Sequence, residues 1–237
     1  MAYQSAILFE SIEEIYGRVF KDLRPTLATP GIQVRYYRFT NLTSNIRLIQ
    51  GQLLVKISDL LDDAPAHVQE SLAYILLSKL FRQRPPKPMM DSYRLYLSRQ
   101  DVRGRLNEVR QKRGKKLLAP PGGNHFDLDS MFEAINSRYF GSTMVKPKLG
   151  WSMQESRTIL GHYDASHHAI AISRRLDRAE IPAHVVEYVL YHEMLHIKHP
   201  VEHKGSIRKI HTRAFQQEEK LFVKYLEAKA YLKKGLR

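Results

Sequence analysis

The run Pro182-Ala183-His184-Val185-Val186-Glu187-Tyr188-Val189-Leu190-Tyr191-His192-Glu193-Met194-Leu195-His196 decides how the rest of the chain is read. Val185, Val186, Val189, Leu190 and Leu195 recur at roughly 3.6-residue spacing. Tyr188 and Met194 widen the stripe until the segment is apolar nearly all round, the pattern of a buried helix. Pro182 suits the first turn of such a helix, and Pro200 stops it. His192 and His196, four residues apart, fall on one face. Two imidazoles so placed can reach a single metal ion, with Glu193 beside the first to handle a water activated there. Three ionisable residues are costly to bury in an apolar helix without partners. A bound Zn2+ and a hydrolytic water supply those partners, whereas ordinary core histidines would lack them.

A catalytic zinc requires a third protein ligand and one open position. His199 and His203 lie close downstream in sequence. A third histidine six residues after His196 would fall on Glu202, which argues against the metzincin spacing. Glu218 and Glu219 qualify as carboxylate ligands on a following helix. His211 is the best candidate. It sits where a new helical pattern begins, with Phe215, Leu221, Phe222, Tyr225, Leu226 and Tyr231 as its apolar positions. His199 and His203 are then expected to face solvent in a loop.

Several short stretches occur together in order: Phe132 through Asn136 to Tyr139-Phe140, Leu149-Gly150-Trp151-Ser152, Ile170-Ala171-Ile172-Ser173, His192-Glu193-x-x-His196, and His211-x-x-x-Phe215. On these residues the chain from about Phe126 to Leu232 resembles the SprT-like (Spartan-type) zinc metallopeptidase domain. The resemblance implies that His192, His196 and His211 hold zinc and that Glu193 is the catalytic base. It implies a zincin-like minimal metallopeptidase fold, an active-site helix under a small, mostly antiparallel sheet whose edge strand pairs with an extended protein or peptide substrate. Two features depart from the family. Thr212 stands where glycine often follows the third histidine, and a chain without cysteine has no terminal cysteine zinc ribbon.

Composition bounds the alternatives. The 237 residues, 43% hydrophobic, suffice for one large domain or two small ones;. No run of about 18 apolar residues reads as a membrane span, and no signal peptide is evident at the N-terminus. The absence of cysteine excludes disulfides and thiolate metal sites and fits a cytoplasmic protein;. The net charge of +14 is uneven: residues 79–116 hold 13 Lys or Arg against Asp91, Asp101 and Glu108. Such a block attracts phosphate backbones without reading sequence. Arg94, Arg99, Arg103, Arg105, Arg110, Lys112, Arg113, Lys115 and Lys116 are the candidate DNA or RNA contacts, with Tyr93 and Tyr96 interleaved. A solvated helix face without a partner is the competing reading.

The fold class is α+β. Residues 1–118 form a smaller, mostly helical N-terminal region, 119–125 a linker, and 126–237 the metallopeptidase domain. In the first part, helical spacing covers Ser5 to Lys21, and alternation marks a strand over Ile32 to Phe39. Ile46 to Gln50 and Gln52 to Ile57 flank Gly51 as a strand pair. A helix from Asp62-Asp63-Ala64-Pro65 runs to about Phe81. Prolines at 85, 86 and 88 break it, and a second helix spans Ser92 to Lys112, weakened by Gly104. Pro120-Pro121-Gly122-Gly123 reads as the linker. In the second part, Asp127 or Asp129 caps a helix ending at Gly141. Lys148 to Ser152, Arg157 to Tyr163 and Ala169 to Ser173 read as strands, and Trp151 as a core residue. Tyr163, His162, His167 and Tyr191 are the candidate donors to a reaction oxyanion.

Three functions remain open on sequence. They are a zinc endopeptidase recruited to nucleic acid, a nucleic-acid-binding protein with a structural zinc, and a non-peptidase zinc hydrolase.

Overall fold

The computed structural model describes residues 10–156, 158–205 and 207–235. Among these the chain is α+β, with eight α-helices and three small sheets. It divides into two compact units, one of residues up to Gly114 together with 205–207, the other of Lys115–Lys204 with the residues from Arg208 onward.

In the first unit, helix α1 (Ile12–Leu23) begins at a reciprocal cap. The Ser11 hydroxyl accepts from the Glu14 N–H, and the Glu14 carboxylate accepts from the Ser11 N–H;. Its buried face is Ile15, Tyr16, Val19 and Phe20. Ile7 and Leu8, expected on the same stripe, lie outside the described residues. Strands β1 (Gly31–Tyr37), β2 (Asn45–Ile49) and β3 (Gln52–Ser58) form a sheet in the order β1-β3-β2. β3 is parallel to β1 and antiparallel to β2. The β2–β3 turn needs two residues of positive φ, 49° at Gln50 and 74° at Gly51, the twist a two-residue hairpin favours;. Leu53, Val55 and Ile57 of β3 are buried with residues of α1 and of α2 (Ala66–Leu80) in one apolar core.

The single helix expected over 92–112 is two helices, α3 (Lys87–Ser98) and α4 (Gln100–Arg113). The break is at Arg99, which is extended, and not at Gly104. Ser98 bonds its own side chain back to the Leu95 carbonyl, competing with the helical ladder there;. The prolines separate two helices as expected: α2 ends at Leu80 and α3 begins at Lys87, with Pro85 and Pro86 between them. Pro86 and Pro88 start α3, because a proline in the first turn gives up only an N–H that has no helical partner;.

In the second unit, β4 (Leu118–Ala119), α5 (Leu128–Phe140), β5 (Lys148–Ser152), β6 (Gly161–Asp164) and β7 (Ala169–Ile172) precede the long helix α6 (Ala183–Lys198). The strand order is β4-β5-β7-β6; β5 and β7 are parallel, and the two outer pairings are antiparallel. The first residues of the strand expected from Arg157 differ: Arg157 lies outside the described residues, and pairing starts at Gly161. A short hairpin, β8 (Glu202–Lys204) and β9 (Ile207–Lys209), leads to α7 (Arg213–Glu219) and α8 (Tyr225–Lys234).

Two expectations change here. Residues 119–125 are not a free linker. Ala119 pairs with Trp151, the Trp151 ring N–H donates to the Pro121 carbonyl, and Asp177 accepts from the backbone N–H groups of Asn124, His125 and Phe126. The helical pattern after His211 is also interrupted at 220–224. There Phe222 turns into the core and the Val223 N–H donates to the Tyr139 hydroxyl. Leu221 and Leu226, expected inside, are exposed as a result.

Candidate metal centre and its carboxylate

Helix α6 packs against β6, β7, α5, α7 and α8. Val185, Val186, Leu190 and Leu195 are fully buried, and His192 and His196 in its C-terminal turns are partly exposed. The apolar stripe places His192 and His196 on one side, one turn apart. The third histidine comes from the start of α7. Thr212 caps that helix by accepting from the Phe215 N–H, and the residue is buried;. The cap fixes His211 immediately before the first turn.

The three imidazoles form a nearly equilateral triangle, with ring centroids 5.1 Å (His192–His196), 5.0 Å (His192–His211) and 5.1 Å (His196–His211) apart. One nitrogen from each lies within 4.8 Å of the others. Phe215 is fully buried beneath them, its ring 4.7–5.1 Å from each imidazole. An aromatic floor of this kind holds the rings while keeping water off their backs.

Glu219 supports the triangle from behind. Its Oε1 accepts from His192 Nδ1 at 2.7 Å and from the Tyr188 hydroxyl at 2.7 Å. An ionised carboxylate only accepts, so Nδ1 of His192 carries a proton and Nε2 is the nitrogen left for a ligand;. This is the arrangement that orients a ligating histidine. Burial raises the Glu219 pKa, but the bonds from His192 and Tyr188 outweigh it and bring it to about 2. Burial, reinforced by repulsion from His192 and His211, lowers His196 to about 4. Burial and His192 also lower His211. His196 and His211 are therefore neutral at pH 7, the form that binds a metal. Three imidazole donors, one oriented by a carboxylate, could hold a metal ion of the kind histidines bind, such as Zn2+;.

Glu193 points the other way, toward β6. It is buried, and its Oε2 accepts from the Tyr163 N–H at 2.8 Å. Burial raises its pKa to about 6, against the opposing pull of His192, the Tyr163 N–H and Lys116. The close approach of helix to strand depends on Gly161, a residue the sequence reading passed over. A Cβ there would lie 2.6 Å from Glu193 Oε1 and 2.9 Å from Val189 Cγ1. Glycine inside a strand is the signal that could have found it.

The remaining candidates fall elsewhere. Glu218 bonds Lys198 at 2.5 Å and His199 at 2.7 Å, and its carbonyl accepts from the Tyr191 hydroxyl. His199 is thus half-buried and paired, where a solvent-facing loop residue was expected; Glu218 draws it in because the helix ends at Lys198. Neither Glu218, Glu219, His199 nor His203 belongs to the three-histidine group. Tyr163 bonds His168, and His167 bonds Asp164. His162 is exposed, and partial burial of its ring and the Lys116 charge lower its pKa.

Of the basic candidates, Arg94, Arg99, Arg105, Lys112 and Arg113 each face a carboxylate: Asp91, Asp101, Asp63, Glu108 and Asp59 respectively. Arg113 clamps Asp59 with two bonds and also donates to the Phe39 carbonyl, a structural use. Arg103 and Arg110 lie on α4. Lys115 and Lys116 belong to the second unit, where Lys116 lines a groove with Leu118, Met153, Ile159 and His162.

No helix among the described residues is long and apolar enough to cross a membrane. Compared with protein-family models, with curated proteins and with solved structures, the chain finds no match.

Proposed function

We propose that the second unit is a zinc-dependent hydrolase, with His192, His196 and His211 as ligands and Glu193 as general base. Within that class, the reading supported best is a peptidase of the SprT-like kind, with a zincin-like arrangement of helix and sheet. The observation that carries it is the pairing of two features on one helix: three converging imidazoles and, one residue from the first, a buried carboxylate turned onto an edge strand. A purely structural zinc site has no use for that carboxylate.

Zinc held by the three histidines would polarise a substrate carbonyl and bring the pKa of a water molecule to about 7. Glu193 would take the proton from that water and return it to the leaving amine. A carboxyl pKa of about 6 suits both directions of transfer;. The Tyr163 N–H holds the carboxylate in place throughout. Tyr163, His167 and Tyr191 already bond His168, Asp164 and the Glu218 carbonyl, which leaves His162 as the candidate donor to the developing oxyanion;.

A peptide substrate is favoured by β6. It is an outer strand of its sheet and packs on α6. The Leu160 carbonyl bonds Ser173 across to the β7 side, whereas the Tyr163 N–H points outward to Glu193. Alternation along the strand then turns the Gly161 and Tyr163 peptide groups away from β7. An extended chain adding to this edge would lie beside Glu193, bound through its backbone with little demand on sequence.

The test is Glu193→Gln. Zinc content should stay at the wild-type level while cleavage of an unfolded protein substrate disappears. Retained cleavage would remove Glu193 from the chemistry. Hydrolysis of phosphoesters with no action on peptides would move the site to a different hydrolase class.

A further inference from the structure

The sheet of the first unit has two faces. Leu53, Val55 and Ile57 face the helices and are buried. Side chains alternate along a strand, so Gln52, Leu54 and Lys56 face the other way. The register adds their neighbours: Gln33, Leu54 and Arg47 form one row, Arg35, Lys56 and Asn45 the next. Tyr37 follows Arg35 along the same face of β1. Arg35, Arg47 and Lys56 are exposed.

This face has a consistent chemistry. Residues 31–58 contain Arg35, Arg38, Arg47 and Lys56 and no Asp or Glu. Among the described residues, none of Arg35, Arg47 and Lys56 is in an ion pair. The helical segment 94–113 differs, because carboxylates sit beside most of its cations. Asp59, at the end of β3, is paired with Arg113, and Glu13 of α1 accepts from the Val34 N–H of β1. Aromatic surface borders the cations. The Tyr37 and Phe39 rings are 5.8 Å apart at 33°, and Lys56 Nζ lies 4.8 Å from the Tyr37 centroid. Amides of Gln33, Asn45 and Gln52 complete the face.

We propose that this open sheet face binds single-stranded nucleic acid, with Arg35, Arg47 and Lys56 on the phosphates and the Tyr37–Phe39 pair stacking on bases. Exposed cations outside any ion pair attract the strand, and bases freed from pairing can reach the partly exposed aromatic rings. A duplex offers phosphates but keeps its bases stacked on each other. The proposal is independent of the hydrolase reading, since it concerns the other unit.

The test uses the full chain and fluorescence anisotropy with labelled oligothymidylate, oligouridylate and a DNA duplex of equal length, over a range of salt. The single strands should bind more tightly than the duplex; the two single-strand arms tell DNA from RNA. The combined variant Arg35→Gln, Arg47→Gln and Lys56→Gln should bind at least about tenfold more weakly. It should also lose roughly two from the log–log salt slope, at about 0.7 per phosphate contact on a single strand. Tyr37→Leu should weaken binding about fivefold or more with the salt slope unchanged, as a stacking contact would. Arg94→Gln, Arg103→Gln and Arg110→Gln together should change affinity less than about twofold. Thermal melts of each variant check that the unit stays folded. Equal binding by the sheet variant and wild type, tighter binding of the duplex, or no binding of any oligonucleotide would overturn the proposal.

Discussion

Glu219 Oε1 lies 2.7 Å from His192 Nδ1, and the same oxygen accepts the Tyr188 hydroxyl at 2.7 Å. One carboxylate thus holds a proton on Nδ1 and sets the angle of the imidazole that starts the metal site, and it does so from a different helix. Removing it as Glu219→Ala should weaken zinc binding by about 10–100-fold. Competition against a chromophoric chelator measures this. Tyr188→Phe removes one of the two bonds and should cost about 1 kcal/mol of stability with a smaller effect on the metal. Unchanged zinc affinity in Glu219→Ala would mean that His192 is held by packing alone.

Gly161→Ala tests the contact between strand and helix. The added methyl would sit 2.6 Å from Glu193 Oε1 and 2.8 Å from its Cγ. Something must shift, at an overpacking cost of about 1–3 kcal/mol. Glu193 is the side chain free to swing away, so catalysis should fall while zinc content holds. Urea midpoints, metal analysis and turnover on the same preparation separate the three effects. Wild-type turnover in this variant would detach Glu193 from β6.

Asp177 gives the second unit an acid-sensitive fastening. Burial pushes its carboxyl pKa up, but three backbone N–H groups, from Asn124, His125 and Phe126, outweigh this and hold it below the usual value. Because the folded pKa is lowered, the stabilisation is complete above the unfolded carboxylate value of about 3.9 and is lost as pH falls through the lower folded value. Asp177→Asn should therefore reduce stability by about 1–3 kcal/mol at pH 7, with the difference shrinking as pH falls below the ordinary carboxylate range;. Urea denaturation of both proteins across that range checks it. A constant difference at all pH values would show that the charge is not what Asp177 contributes.

How far these relationships could be read from sequence differs by kind. The long helix was legible because its stripe of Val185, Val189, Leu190 and Leu195 has a helical period, and the two histidines inherit their common face from it. Glu219 stood in the sequence as an alternative ligand, but its place behind His192 depends on how α7 packs on α6, which no local period encodes. Asp177 and Asn124 are 53 residues apart, so their bond is a tertiary fact. The segment 119–125 has a linker's composition, yet Gly123 and Gly150 serve close packing: a Cβ on either would collide with Asp177 or with the Ala119 carbonyl. The break at Arg99 has no proline or glycine beside it to mark it in the sequence. The acid-free stretch 31–58 was visible all along, although its cations reach a single face only through the register of β1, β2 and β3.

The measurement closest to the central claim is zinc stoichiometry in His211→Ala beside wild type, by metal analysis after dialysis against a weak chelator. His211 lies outside α6 and joins the site only through the fold, its ring 5.0 Å from His192 and 5.1 Å from His196. The wild-type chain should carry about one zinc equivalent and the variant far less, with its apparent affinity reduced by orders of magnitude. A variant that keeps a full equivalent with wild-type affinity would contradict the three-histidine site.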